Sequence, residues 1–275
     1  MISSPAFSRI GFGVTGPHAS WLVSKRTTIR LIQSAFEHGI TLFDTGPAYG
    51  RGEGEKRLGE AIKALPREQV FISTKAGIHP GRRRDFSAGA VEMSIKESLA
   101  RLKTSYIDLL LLHGPAPEEL TERLINRLRA FKDRGMIRHI GICGRGAEID
   151  KAIELTSSSN CFDALMAPLN PALDETAIKR LERAKDANLS VIAIEVMAGV
   201  QRSTRMPRSI SDLWYLARSS KQKLSGTTTT PHALTAQDAL KWTLNRPFCN
   251  AALCLTTKTN HLSSNAAAAG LEANA

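Results

Sequence analysis

The chain has 275 residues, 42% of them hydrophobic, which is enough apolar material for one large core or two smaller ones. Its formal net charge of +11 and pI of about 9.8 would suit an anionic partner. However, the basic residues are dispersed apart from Arg82-Arg83-Arg84 and the looser Arg202, Arg205 and Arg208, and with 5% aromatics no basic and aromatic stripe points to nucleic acid.

In chain order, short apolar runs alternate with segments of helical periodicity. The first run, 9–13 (RIGFG), leads into Gly11-Phe12-Gly13-Val14-Thr15-Gly16, which matches GxGxxG. A dinucleotide-binding turn of the Rossmann kind needs a full strand before it and a helix opening at its last glycine. Here little apolar sequence precedes the first glycine, and Pro17-His18-Ala19-Ser20 follows the last, so a tight turn closing a first strand is expected. A helix over 27–38 should stop at Gly39, followed by a strand at 40–43 (ITLF) and the cluster Gly50-Arg51-Gly52-Glu53-Gly54, which reads as a turn. Then come a helix at 55–64, a strand at 70–75 (VFISTK), a helix at 87–103 starting near Ser87, and a strand at 107–112 (IDLLLL). A helix at 118–133 starts near Thr121 and stops at Gly135, before strands at 137–142, 163–166, 190–195 and 251–255. Helical segments at 147–155, 173–187, 235–245 and 259–269 complete the series.

Eight strands, each followed by a helix, is the count for a closed (β/α)8 TIM barrel of the α/β class, although an open doubly wound sheet with an extra unit reads similarly. One domain over 1–275 is expected. The stretch 199–232 breaks the rhythm with GVQRSTRMPR and SGTTTTP and suits a functional loop or lid. Cys143, Cys161, Cys249 and Cys254 have neither CxxC spacing nor a histidine at ligand distance, so they read as core residues in a reducing compartment. The N-terminus has no signal-peptide pattern and no stretch is long enough to cross a bilayer, so a soluble, cytoplasmic protein is expected.

Four polar residues stand at or just beyond strand ends: Asp44 after ITLF, Tyr49 shortly beyond it, Lys75 ending VFISTK and His113 after IDLLLL. Singly, an aspartate starts turns, a lysine reaches for water, and a loop tyrosine or a lone histidine only packs or hydrogen-bonds. In a parallel barrel, however, all strand C-termini open on one face, and at three successive strand ends these groups converge. Their chemistry is complementary. A tyrosine hydroxyl protonates a developing alkoxide well when a lysine ammonium lowers its pKa. An aspartate keeps that lysine charged, and a neutral histidine polarises a carbonyl. The set suits hydride transfer from a bound nicotinamide to a small-molecule carbonyl.

The segments FEHGITLFDTGPAYGRGEGEKRLGEAIK, FISTKAG, SIKESLARLKTSYIDLLLLHGP and FKDRGMIRHIGICG together resemble the aldo-keto reductase superfamily over nearly the whole chain. The resemblance implies that Tyr49 is the general acid, that Lys75 and Asp44 tune it, and that His113 orients the carbonyl. It also implies NADPH as cofactor, with NADH possible, held by Gly13, Asp44, Cys143, Gly144, Met166, Ile194, Thr256, Thr257, Lys258 and Asn265.

The cofactor side departs from the pattern. Where the family usually holds the nicotinamide carboxamide with Ser-Asn and Gln, this chain has Cys143, Gly144 and Met166, and Ile194, followed by Glu195, replaces a stacking aromatic. LCLTTKTNHLSSN resembles the adenosine-phosphate segment ending in Asn265, with His261 where an arginine is often found. Lys258 and the three loop arginines would supply charge to a 2′-phosphate. The alternative to a reductase is a barrel of the same ancestry that has lost redox activity and serves as a binding or regulatory subunit, or catalyses a non-redox acid/base step.

Overall fold

A computed structural model describes residues 2, 6–81, 83–198, 200 and 234–271. Eight parallel strands close into a barrel in chain order: β1 (Ile10–Gly13), β2 (Leu42–Asp44), β3 (Phe71–Ala76), β4 (Ile107–His113), β5 (Ile137–Cys143), β6 (Ala164–Pro168), β7 (Ser190–Ile194) and β8 (Cys249–Cys254), with β8 pairing back onto β1. The described α-helices are α1 (Lys25–Glu37), α2 (Glu53–Ala61), α3 (Ala88–Leu102), α4 (Glu122–Asp133), α5 (Ala147–Ser159), α6 (Glu175–Asp186), α7 (Ala236–Leu244) and α8 (Thr259–Ala268). Closure decides between the two readings of the βα alternation: the sheet has no open edge. No described helix is long and apolar enough to cross a membrane.

Helix starts follow their caps. Ser24, Ser87, Thr121 and Asp174 each accept a hydrogen bond from the backbone N–H three residues on, satisfying a donor that the helix itself leaves unpaired. The Ser24 cap opens α1 two residues before the periodicity suggests. Gly39 and Gly135 follow α1 and α4 at φ +77° and +70°, a left-handed conformation that glycine adopts without penalty. Two expected helices are shorter than their apolar pattern: 62–64 and 117–119 are separate 3-10 turns. GxGxxG spans β1 and the turn beyond it, and the third glycine opens a 3-10 turn, Gly16–Ala19, rather than an α-helix. The irregular stretch 199–232 lies almost wholly outside the described residues, as do Arg82, Arg202, Arg205 and Arg208.

Strand periodicity builds two apolar layers. On β4, Leu109 and Leu111 pack inside the barrel with Leu42, Phe71, Met166 and Ile192, while Leu110 and Leu112 pack outwards against the helices. Each fully buried leucine contributes about 1.5–3 kcal/mol by leaving water. Continuing the inward parity to the strand ends gives Asp44 after Leu42, Lys75 after Phe71 and Ser73, and His113 after Leu111. The register sets Asp44 beside Ser73, Lys75 beside Leu111 and His113 beside Cys143.

Candidate active site

Asp44, Tyr49, Lys75 and His113 line one cavity of about 670 Å³ at the C-terminal mouth of the barrel. The Lys75 ammonium is buried and donates to both oxygens of Asp44, at 2.7 and 2.6 Å, and to the carbonyl of Thr45 at 2.8 Å. Burial works against the charge on Lys75, but Asp44 and Tyr49 outweigh it and hold its pKa above the usual lysine value. Burial pushes the Asp44 carboxyl up, against the pull of Lys75 and of the Ser73 hydroxyl, which donates to Oδ1 at 2.9 Å. Sequence reading did not single out Ser73, although its inward parity two residues before Lys75 was available.

Tyr49 sits on the turn after β2. Gly50, at φ +60°, lets that turn press against the 3-10 turn Gly16–Ala19: a Cβ there would stand 1.8 Å from the Ala19 carbonyl oxygen. Only Gly50–Gly52 of the glycine cluster is turn, since α2 begins at Glu53 and takes in Gly54. Buried Glu55 then ties α2 to the barrel, accepting from Thr74 and from Arg101 at 2.6 Å each. The Tyr49 ring is thereby fixed with its centroid 5.2 Å from Lys75 Nζ and 6.1 Å from the His113 ring, edge to face. One expectation is corrected here. Burial raises the Tyr49 phenol above its ordinary value and outweighs the opposing pull of Lys75, so at neutral pH the hydroxyl keeps its proton.

Burial, reinforced by the charges of Lys75 and Arg84, lowers His113 to about 4, leaving a neutral imidazole at pH 7. Its Nδ1 is buried and has no hydrogen-bond partner among the described residues. An unpaired buried ring nitrogen costs free energy, and the neutral imidazole carrying it lines the cavity with its ring edge to face against Tyr49.

Gly13, Cys143, Met166, Ile194 and Asn265, on β1, β5, β6, β7 and α8, also line the cavity, as does Gly144 just beyond β5. Thr256, Thr257 and Lys258 are not among its described lining residues. Thr256 is buried, its carbonyl accepts from His18 at 2.8 Å, and its hydroxyl accepts from the Lys258 backbone N–H at 3.1 Å. The cavity wall adds Thr15, Arg84, Arg145, Glu148 and Glu195, which the strand-end pattern did not bring forward as site residues. All four cysteines are buried. Two of them, Cys143 and Cys254, also face the cavity, and burial pushes their thiols up to about 11 and about 12. Among the described residues no group of histidines, cysteines and carboxylates is placed to hold a metal ion.

His18 is fully buried and joins three segments. Its Nε2–H donates to Thr256, and its Nδ1 lies 3.3 Å from the Thr28 hydroxyl, which also accepts from Arg57. Burial first, and the Arg57 charge as well, lower it to about 4 although the Thr256 bond favours the cation. The unfolded chain takes up this proton near pH 6.5 and the folded chain only near 4, so the unfolded state binds more protons between those values and stability falls with falling pH. From pH 7 to pH 5 the loss through His18 is about 2 kcal/mol. Urea unfolding at the two pH values should show the loss in the wild type reduced by that amount in His18→Gln.

The profile of the Aldo/keto reductase family matches residues 9–274. L-Galactose dehydrogenase of Arabidopsis thaliana is 32% identical over 203 residues, covering 70% of this chain and 62% of that protein. D-threo-Aldose 1-dehydrogenase of a Pseudomonas species is 33% identical over 162 residues, 50% of this chain and 48% of that protein. The matched stretches thus span less than two thirds of these curated relatives. Among solved structures, an aldo-keto reductase from Bacillus halodurans superposes with a TM-score of 0.75 at 24% identity, covering 95% of this chain and 86% of its own. One from Klebsiella pneumoniae, solved in complex with NADPH, gives 0.71 at 22%, covering 96% and 86%. At these identities the two structures speak to the fold.

Proposed function

The chain belongs to the aldo/keto reductase family, and from that premise we propose that it interconverts an aldehyde or ketone and its alcohol with a nicotinamide dinucleotide, the proton passing through Tyr49. The observation that carries this reading is the buried Lys75–Asp44 pair beside the Tyr49 ring, in one cavity with a neutral His113. Desolvating such a cluster is costly and adds little to stability, so its presence at a barrel mouth points to chemistry.

The residues present fit such a cofactor: the cavity runs from Tyr49 and His113 past Cys143, Met166 and Ile194 to Asn265. When bound, the reduced nicotinamide supplies the hydride. His113 donates a hydrogen bond to the substrate oxygen and polarises the carbonyl. Tyr49 gives its proton to that oxygen as negative charge develops. Lys75, held charged by Asp44, stabilises the tyrosinate left behind. In the reverse direction the ionised Tyr49 accepts the alcohol proton.

The names of three relatives, L-galactose dehydrogenase, D-threo-aldose 1-dehydrogenase and D-arabinose 1-dehydrogenase, favour an aldose sugar as the substrate class. A mouth carrying Arg84, Arg145, Glu148 and Glu195 offers both donors and acceptors to hydroxyl groups. The cofactor is NADPH in preference to NADH, on the charge of Lys258 together with Arg202, Arg205 and Arg208. Fluorescence titration with both dinucleotides tests the reading. Tighter binding of NADPH is expected, equal or tighter binding of NADH removes the preference, and failure to bind either overturns the redox function.

A further inference from the structure

The inward positions at the ends of β5, β6 and β7 are Cys143, Met166 and Ile194, and none offers a strong hydrogen-bonding side chain to a ligand. The polar side chains on that side of the cavity, among the described residues, are Arg145, Glu148 and Glu195. They form one unit. Arg145 pairs with Glu195 through Nη2, and its backbone N–H donates to Glu148 Oε1 at 2.6 Å. Gly144 makes the room: a Cβ there would stand 2.4 Å from Glu148 Cγ and 3.2 Å from its Oε1, so the Glu148 side chain occupies the volume that a residue-144 side chain would take. Glu195, first beyond β7, turns at φ +57°, a conformation rare for a residue with a Cβ and found where the surroundings hold a side chain to a task. The Arg145 and Glu195 charges both reach the Cys143 thiol at the centre of this wall.

We propose that Arg145, Glu148 and Glu195 form the carboxamide-holding wall of the nicotinamide site, the guanidinium donating to the amide oxygen and a carboxylate accepting from the amide NH2. This rests on the reading of the cavity as a nicotinamide site. A primary amide presents one acceptor and one two-hydrogen donor side by side, and an arginine bridged to one carboxylate and abutting another presents their complement. The small or apolar side chains at 143, 144 and 166 do not remove polar recognition. They leave it to residues that reach in from two positions past β5, from the first turn of α5 and from one position past β7. The three are positioning residues, setting which way the ring lies against Tyr49.

The test compares calorimetric binding of NADP+ with that of its 3-acetylpyridine analogue, in which the amide NH2 is replaced by a methyl group, with 2′,5′-ADP as a ligand that lacks the nicotinamide. A hydrogen bond to a charged group is worth roughly tenfold or more in affinity, so the wild type should prefer NADP+ by about that factor. Glu148→Ala/Glu195→Ala should bind the two dinucleotides alike and 2′,5′-ADP as the wild type does. Arg145→Met, which leaves both carboxylates in place, should weaken both dinucleotides together because the acetyl oxygen remains. A double variant that keeps the tenfold preference overturns the proposal, as does an Arg145→Met protein that binds both dinucleotides normally. A wild type that binds neither dinucleotide overturns the cofactor reading, and this wall falls with it.

Discussion

Tyr49→Phe lowers the rate of carbonyl reduction by about 10²-fold or more, the span that a positioned general acid supplies, and leaves cofactor affinity nearly unchanged. The phenylalanine ring keeps the edge contact with His113 and the place beside Lys75, so only the transferable proton is lost. Lys75→Met acts through the same proton: without the ammonium, burial and the Asp44 charge act on the phenol unopposed and raise it further. The double variant is therefore little slower than the slower single one, because two members of one device do not fail independently. Asp44→Asn is milder, since it loosens the lysine without removing it. Direction of reaction separates the roles further. A phenol held above its ordinary pKa is a ready donor at pH 7 but a scarce base, so alcohol oxidation should climb with pH through the alkaline range while reduction stays flat across neutrality. Single-turnover rates in both directions between pH 6 and pH 10 measure this. A Tyr49→Phe enzyme with near-normal reduction, or rate losses that multiply, would shift the proton donor to His113.

The barrel was legible because strand periodicity and helix periodicity alternate cleanly, and because the side chains that close each strand share one parity. Asp44, Lys75 and His113 stand out in sequence as polar residues interrupting apolar runs, and the parity that carries Leu109 and Leu111 inward carries His113 to the mouth. What sequence does not display is reach. Arg145 and Glu195 are 50 residues apart and meet only because β5 and β7 flank β6. Glu148 matters because a glycine four residues earlier leaves a volume open, which no local pattern announces. His18 reads as part of an interruption before a helix, yet it fastens the 3-10 turn after β1 to the segment after β8. That bond is made by the Thr256 carbonyl, on a segment that is not among the described lining of the cavity. The raised tyrosine pKa is hidden for a related reason: a neighbouring lysine is visible in sequence, but burial, the larger influence here, is not.

Lys75→Met destabilises the fold by about 3–5 kcal/mol at pH 8, the range for stranding one partner of a buried ion pair. Asp44 would keep only the Ser73 hydroxyl, at 2.9 Å, in place of two ammonium bonds. Its escape is to take up a proton. Burial already pushes this carboxyl above its ordinary value and Lys75 is the main restraint, so in the variant the folded state binds a proton that the unfolded state, with a carboxyl near 3.8, has released. Where the folded state binds more protons, stability falls as pH rises, so the variant's deficit against the wild type should shrink from pH 8 to pH 5. Adding Asp44→Asn removes the stranded charge altogether, because the amide needs no counterion and still accepts from Ser73. Most of the lost stability should return at pH 8, and the pH dependence of the deficit should vanish, even though the doubly substituted barrel is catalytically crippled. Urea midpoints for wild type, Lys75→Met and Asp44→Asn/Lys75→Met at both pH values make the measurement. A single variant as stable as the wild type at pH 8, or a double variant no more stable than the single one, would mean that Asp44 is not held charged by Lys75, and the electrostatic basis for Tyr49 as the acid would go with it.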